Sequence, residues 1–232
     1  MIDGILLIDK EKGITSYDVI RKLKRILPKG QKIGHAGTLD PFATGLLIVL
    51  LGKATKKMEE ILHLEKGYQV KAEFGYATDS QDETGKKVIQ DNKGLVVSRN
   101  TLEEIIHKKF LGEIQQIPSS YSAIKINGKK AYEYARAGKE VQISPRIIKI
   151  LEFSCIEYSW PFVTFNIFCS SGTYIRTLIN DLGIESGAYA TSVDLRRFKI
   201  GKYLLEEALS SEEISEENAD TVLNKIINLN NK

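Results

Sequence analysis

Apolar residues recur along this chain with two different periods. Gly4–Lys10 (Gly-Ile-Leu-Leu-Ile-Asp-Lys) and the unbroken apolar run 46–51 are too short for helices of that apolarity and predict buried strands. Between them Val19, Ile20, Leu23, Ile26 and Leu27 share one face of a helix that Thr15 or Ser16 can cap. Residues 53–64 read as helix, and 68–76 alternate as a strand. Thr101-Leu-Glu-Glu104 has the form of a capping box that opens a helix to about Leu111. Strands are expected at 121–125, 140–150, 153–158, 163–170 and 193–198, with a helix around 175–182 after the break at Gly172. Many strands, few helices and no βαβ rhythm predict an α+β fold: a large, mostly antiparallel sheet flanked by helices.

Composition narrows the function without fixing it. The 232 residues, 42% hydrophobic and 27% charged, are those of an ordinary globular protein able to bury a core in one or two domains. The net charge of +3 is unevenly spread, since seven acidic and two basic residues follow Leu205, leaving 31 basic against 23 acidic in 1–205. Such a body suits a phosphate-rich partner. Arg21, Lys22, Lys24 and Arg25 on the first helix read equally as a solvated face or a phosphate-facing one. Cys155 and Cys169 form no CxxC pair, and His35, His63 and His107 have no metal-ligand spacing. Buried free thiols in a reducing compartment are expected, with no bound metal. No apolar run has transmembrane length and no signal-peptide pattern opens the chain, so a cytoplasmic protein with no membrane contact is expected.

The most informative segment is His35-Ala-Gly-Thr-Leu-Asp40-Pro-Phe-Ala-Thr-Gly-Leu-Leu-Ile48. It sets one carboxylate just before a buried strand, and Pro41 pushes Asp40 towards an extended or turn backbone. A rigidly displayed acid suits a nucleophile or a general base. Local chemistry alone favours a plainer role, Asp40 as a helix N-cap with Pro41 at the first helical position.

The segment closely resembles the catalytic loop of the TruB family of tRNA pseudouridine synthases, in which the Asp is essential. Four more segments extend the resemblance over about 2–205. Gly4-Ile-Leu-Leu-Ile-Asp-Lys-x-x-Gly13-Ile-Thr-Ser16 is similar to the family's first motif, with Glu11 where proline is usual. Gly67-Tyr68-Gln-Val-Lys-Ala-Glu-Phe-Gly75 is followed by the acidic loop with Asp79 and Asp82, residues that ordinarily form turns; the resemblance implies that this loop helps shape the site without a catalytic role. The resemblance makes Tyr68 the active-site ring that stacks on the target base. Cys169-Ser-Ser-Gly172-Thr-Tyr174-Ile-Arg176 implies that Arg176 pairs with Asp40 and that Tyr174 walls the pocket. Val193-Asp-Leu195-Arg196-Arg197 implies that Leu195 meets the base, with Arg196 and Arg197 binding phosphate or pairing in the core. His35 would brace the flipped nucleotide or fill its place in the RNA stack.

Within 118–145, Lys125, Lys129, Lys130, Arg136 and Lys139 are interleaved with Tyr132 and Tyr134. That mixture suits backbone phosphates and base faces, though an ordinary solvated helix would look the same. In the family this region is an insertion that grips the RNA. Residues 206–232 are expected to form a short acidic segment rather than a full PUA domain, with one helix at 219–229 or a frayed tail.

The resemblance implies a catalytic domain over 1–205 with the pseudouridine-synthase fold. It implies a cofactor-free, monomeric enzyme that isomerises uridine 55 in the T-arm of tRNA, with Asp40, Tyr68 and Arg176 catalytic. A guide-RNA-dependent synthase and an RNA chaperone or binding module are the alternatives. A zinc nucleobase deaminase is excluded by the missing H-x-E and P-C-x-x-C patterns.

Overall fold

The computed structural model describes residues 1–90, 94–122, 124–126, 128–139 and 141–228, with the backbone alone at Gln90, Lys125 and Arg136. The chain begins with β1 (Gly4–Lys10), α1 (Ser16–Ile26), β2 (Ile33–Ala36), β3 (Thr44–Leu51), a 3-10 segment (Gly52–Lys57), α2 (Met58–His63) and β4 (Lys66–Phe74). It continues through β5 (Tyr76–Thr78), β6 (Lys87–Gln90), α3 (Arg99–Lys109), β7 (Gly112–Gln116), β8 (Lys125–Ile126), β9 (Lys129–Lys130) and α4 (Ala131–Arg136). Then come β10 (Arg146–Ser159), β11 (Phe162–Cys169), α5 (Ile175–Glu185), β12 (Ala190–Ile200), β13 (Tyr203–Leu204), β14 (Leu209–Ser210) and α6 (Ala219–Asn224). Among the described residues ten strands belong to the principal sheet, and the fold is α+β. Two units divide the chain, one of Met1–Tyr68 with the described residues from Leu195 onward, the other of Gln69–Asp194. Strands β4 and β12 each contribute residues to both.

In the first unit β1 lies antiparallel to β3 in unbroken register from Gly4↔Leu51 to Lys10↔Gly45. Strand β2 is also antiparallel to β3, whereas β12 joins β3 and β14 joins β1 in parallel. The period of two sends alternate residues to opposite faces. Leu6, Ile8, Leu47, Val49 and Leu51 meet Val19, Ile20 and Leu23 of α1, while Ile5, Leu7, Leu46, Ile48 and Leu50 meet Ala54, Ile61 and Ile200. Burial on both faces is why 46–51 has no polar residue. The acidic C-terminal segment shares this core through Leu209, Ile214 and Val222, and Ile227 bridges to Ile5. The helix expected at 219–229 is Ala219–Asn224. Position 229 lies outside the described residues.

In the second unit the strand order is β4-β11-β10-β7, with β10 antiparallel to both neighbours. Helix α3 packs on β10 and on α5. Leu102, Ile106, Leu178, Ile179 and Leu182 are buried there, and the Phe153 ring meets Phe110 and Phe165 edge-on. Two short hairpins, β5–β6 and β8–β9, complete it. Both cysteines are buried, and neither is in a disulfide.

Several elements differ from the sequence reading. Strand β10 is one 14-residue strand where two were expected, because register shifts at Ile150/Glu152 and Cys155/Glu157 break its alternation. Helix α3 is capped by Ser98, whose Oγ accepts from Thr101 N–H at 3.2 Å, so Thr101 lies inside the helix. The strand expected at 121–125 is reduced to Lys125–Ile126, with Tyr121 in a turn. The helix expected over 53–64 begins as a 3-10 segment, and position 140 of the strand expected at 140–150 is outside the described residues.

Candidate active site

Asp40 lies on a β-turn and not at a helix start. The Ala43 N–H donates to the Asp40 carbonyl at 3.1 Å, and the chain passes directly into β3. The N-cap alternative is thereby excluded. The turn is clamped to α1 by Ser16, whose Oγ accepts from Leu39 N–H at 2.9 Å and donates to the Leu39 carbonyl at 3.1 Å. The Gly13 N–H adds a 2.8 Å bond to the Pro41 carbonyl. Leu39, Phe42 and Ala43 are buried while Asp40 is half-buried, so the flanks anchor the loop and Asp40 is left partly exposed.

Arg197 secures the far side of the loop. It is 1% exposed and donates through Nε to the Leu46 carbonyl at 2.8 Å and through Nη2 to the Gly37 carbonyl at 2.9 Å. Gly45 (φ +102°) lets the β12 backbone come close, since a Cβ there would stand 2.3 Å from the Arg197 carbonyl oxygen. Arg196 pairs with Asp9 at 2.7 Å and donates to Thr44 Oγ1 at 3.3 Å. Both arginines therefore have protein partners in this unit.

Lys10, at the end of β1, is wholly buried, and its Nζ donates to the carbonyls of Glu11 (2.8 Å) and Ile14 (2.9 Å). Burial pushes its pKa down to about 8, opposed most strongly by the Asp40 carboxylate. The strand thus ends in a buried cation that feels the charge of Asp40. His35 lies half-buried on β2 opposite Val49, Tyr68 is buried on β4, and Leu195 is buried on β12. On the basic face of α1, Arg21 pairs with Asp18 and Lys22 with Glu11, and Arg21 and Lys24 lie over the Tyr17 ring.

The second unit holds Tyr174 and Arg176. Tyr174 is the N-cap residue of α5, and its backbone is fixed by Gln116, which accepts from its N–H (2.9 Å) and donates to its carbonyl (3.0 Å). Arg176 is 4% exposed. Its guanidinium donates to the carbonyls of Ser80 and Tyr121 and stands 3.3 Å from Asp82 Oδ2. Asp82 in turn accepts from Ser80 Oγ (2.8 Å), Thr84 N–H (3.0 Å) and Thr84 Oγ1 (2.6 Å). The acidic loop is thus a socket for a buried guanidinium. Asp79 closes its turn on Lys86 N–H at 2.8 Å and accepts from the Tyr121 hydroxyl at 3.1 Å.

In the inserted region Lys129 is exposed, and the Lys130 Nζ stands 5.4 Å from the Tyr132 ring centroid. The side chains of Lys125 and Arg136 lie outside the described residues. Sequence reasoning did not single out Lys10, Gln116 or the hold of Ser16 on Leu39, and it gave the Asp82 loop a site-shaping part without pairing Asp82 with Arg176. Two charged residues, Asp9 and Lys10, closing an otherwise apolar strand were the available signal, and it did not tell which of them is buried. Among the described residues no group of three or more His, Cys, Asp or Glu side chains is placed to hold a metal ion. No helix among them is long and apolar enough to cross a membrane.

Comparison with known proteins adds three findings. Residues 24–175 match the profile described as "TruB family pseudouridylate synthase (N terminal domain)". The chain is 45% identical over 228 residues to tRNA pseudouridine synthase B of Endomicrobium trichonymphae, covering 98% of this chain and 97% of that protein. It is 45% identical over 205 residues to the protein of the same name from Fusobacterium nucleatum subsp. nucleatum, covering 88% and 70%. Among solved structures, an H/ACA ribonucleoprotein bound to a substrate RNA containing 2′-deoxyuridine is similar with TM-score 0.68 and 24% identity, over 97% of this chain. This chain spans 58% of that solved chain, and the likeness is one of fold.

Proposed function

Because the chain belongs to the TruB family of pseudouridylate synthases, we propose that it converts the T-loop uridine 55 of tRNA to pseudouridine in the cytoplasm, with Asp40 as the catalytic group. The reaction is an isomerisation. The C1′–N1 bond breaks, the uracil turns, C5 joins C1′, and the proton lost from C5 is matched by one gained at N1. No redox change is involved and no cofactor is required. A stacked base cannot turn over, so the uridine leaves the RNA stack and enters a pocket.

Each residue then has a role. Asp40 acts as nucleophile or base, and Arg176 orients its carboxylate with a planar fork that lysine does not reproduce. The Tyr68 ring stacks on the uracil, contact of a kind worth about 1–3 kcal/mol per base. Tyr174 and Leu195 line the pocket, and His35 braces the displaced nucleotide. Lys125, Lys129, Lys130 and Arg136 bind backbone phosphates of the T-arm. The observation that carries this reading is the Asp40 turn, a half-buried carboxylate on a loop held by Ser16, Gly13 and Arg197. The socket of Ser80, Asp82 and Tyr121 supports the role of Arg176, since an orienting group must itself be fixed.

The test is incubation of purified protein with an unmodified tRNA transcript and no guide RNA, followed by mapping of pseudouridine. Product at position 55 is expected from the wild type. Asp40→Asn should bind the RNA and form no product. Near-normal turnover by that variant would remove Asp40 from the chemistry, and a guide requirement would favour the guide-dependent alternative.

A further inference from the structure

Arg146 opens β10 and faces Gln116 across the β7–β10 ladder. Gln116 is 1% exposed, and its amide grips both backbone groups of Tyr174. The Arg146 guanidinium lies over the Tyr174 ring, 5.8 Å from its centroid. Gly172 lies beneath it, since a Cβ there would be 3.6 Å from Arg146 Nη1. The residue is half-buried, and its Nε is shielded from solvent with no hydrogen-bond partner. Among the described residues no carboxylate pairs with it. In this it differs from Arg176, which has Asp82, and from Arg196, which has Asp9. A partly desolvated cation without a protein anion is poorly satisfied by its own fold. Its planar fork matches phosphate geometry.

We propose that Arg146 is a substrate-binding residue that takes one phosphodiester of the RNA, next to the nucleotide that meets the Tyr174 ring. The proposal rests on the reading of the chain as an RNA-modifying enzyme and adds to it a backbone contact outside the lysine-rich insertion. Binding there neutralises the guanidinium while the ring beneath keeps it in place. Tyr174 and the phosphate are thereby set at a fixed separation, and the target nucleotide is aligned before it turns.

The experiment measures the affinity of the full chain for a T-arm stem-loop RNA as a function of salt, alongside thermal unfolding. Each neutralised phosphate contributes about 0.7–0.9 to the slope of log K against log salt. Arg146→Gln is expected to bind several-fold more weakly with a slope smaller by about that amount. Arg146→Lys should keep the slope and lose part of the affinity, because it retains the charge without the fork. A lowered melting temperature with an unchanged slope would show that Arg146 merely packs on Tyr174 and would overturn the proposal. A scan of RNAs with single methylphosphonate linkages on the wild type gives an independent reading. One linkage should cost as much affinity as Arg146→Gln, and no costly linkage beyond those of the insertion would also overturn it. A wild type that binds RNA but makes no pseudouridine would defeat the catalytic reading alone, since the phosphate contact is read from binding.

Discussion

Ser16→Ala tests whether the carboxylate loop is held as the geometry implies. One hydroxyl satisfies both backbone groups of Leu39, at 2.9 and 3.1 Å, in a site where Ser16 is 2% and Leu39 3% exposed. Alanine leaves a buried N–H and a buried carbonyl without partners and with little access to water. Each such group costs about 1–3 kcal/mol. Allowing for partial relaxation, the loss of stability should be about 2–4 kcal/mol, or about 4–16 °C in melting temperature for a chain of this size. Leu39 adjoins Asp40, so a shift of about 1 Å is enough to lower single-turnover pseudouridine formation about 100-fold. Thr15→Ala is the control. It removes the cap bond to Asp18 N–H at 3.1 Å on an exposed helix end, costs about 1 kcal/mol, and leaves Leu39 untouched. Urea unfolding and single-turnover assays on both variants decide the matter. A Ser16→Ala protein with wild-type stability and rate would refute the clamp, and equal rate losses in both variants would place the effect in α1 rather than in the loop.

Two further outcomes follow from the buried cations. Arg176→Lys cannot reach Asp82 and the carbonyls of Ser80 and Tyr121 at once. It should therefore lose several kcal/mol of stability and most activity, and near-normal pseudouridine formation would discard the orienting role. Lys10 has a folded pKa of about 8 against an ordinary 10.5, so the unfolded chain holds the proton more tightly between those values. Its contribution to stability therefore rises with pH across that window, by no more than about 3 kcal/mol. Urea midpoints of the wild type should gain on those of Lys10→Met between neutral pH and pH 10, and a constant difference would contradict the burial penalty.

Local pattern in the sequence was enough for β1, β3, α1 and α5, where apolar spacing and burial coincide. It failed where tertiary contacts decide. Strand β2, which carries His35, is four residues long with a glycine inside and owes its existence to pairing with β3. The bulges of β10 hide one strand behind two apparent ones. Asp40-Pro41 satisfies the local rule for a helix start, but the parallel neighbour β12 at Arg196↔Thr44 and Arg197↔Gly45 draws the chain into a strand. The candidate site divides the same way. Asp40, Tyr68 and Arg176 are legible as motif residues. Arg197 as a loop brace, Gln116 as the grip on Tyr174 and Arg146 over its ring depend on residues far apart in sequence, and no spacing announces them.

The first unit is assembled from two separate stretches, Met1–Tyr68 and the described residues from Leu195 onward, and this bears on how it forms during synthesis. Its β1–β3 ladder is made before the second unit, whereas the β12 residues that pair with β3, the strand β14, and Val222 that fills its core follow only after Asp194. At about 5–20 residues per second, β3 waits roughly 7–30 s for its parallel neighbour, and until then its Thr44–Gly45 end lacks that pairing. The second unit is one continuous stretch from Gln69 to Asp194. The unit that carries Asp40 therefore closes only after the whole of the second unit has been made.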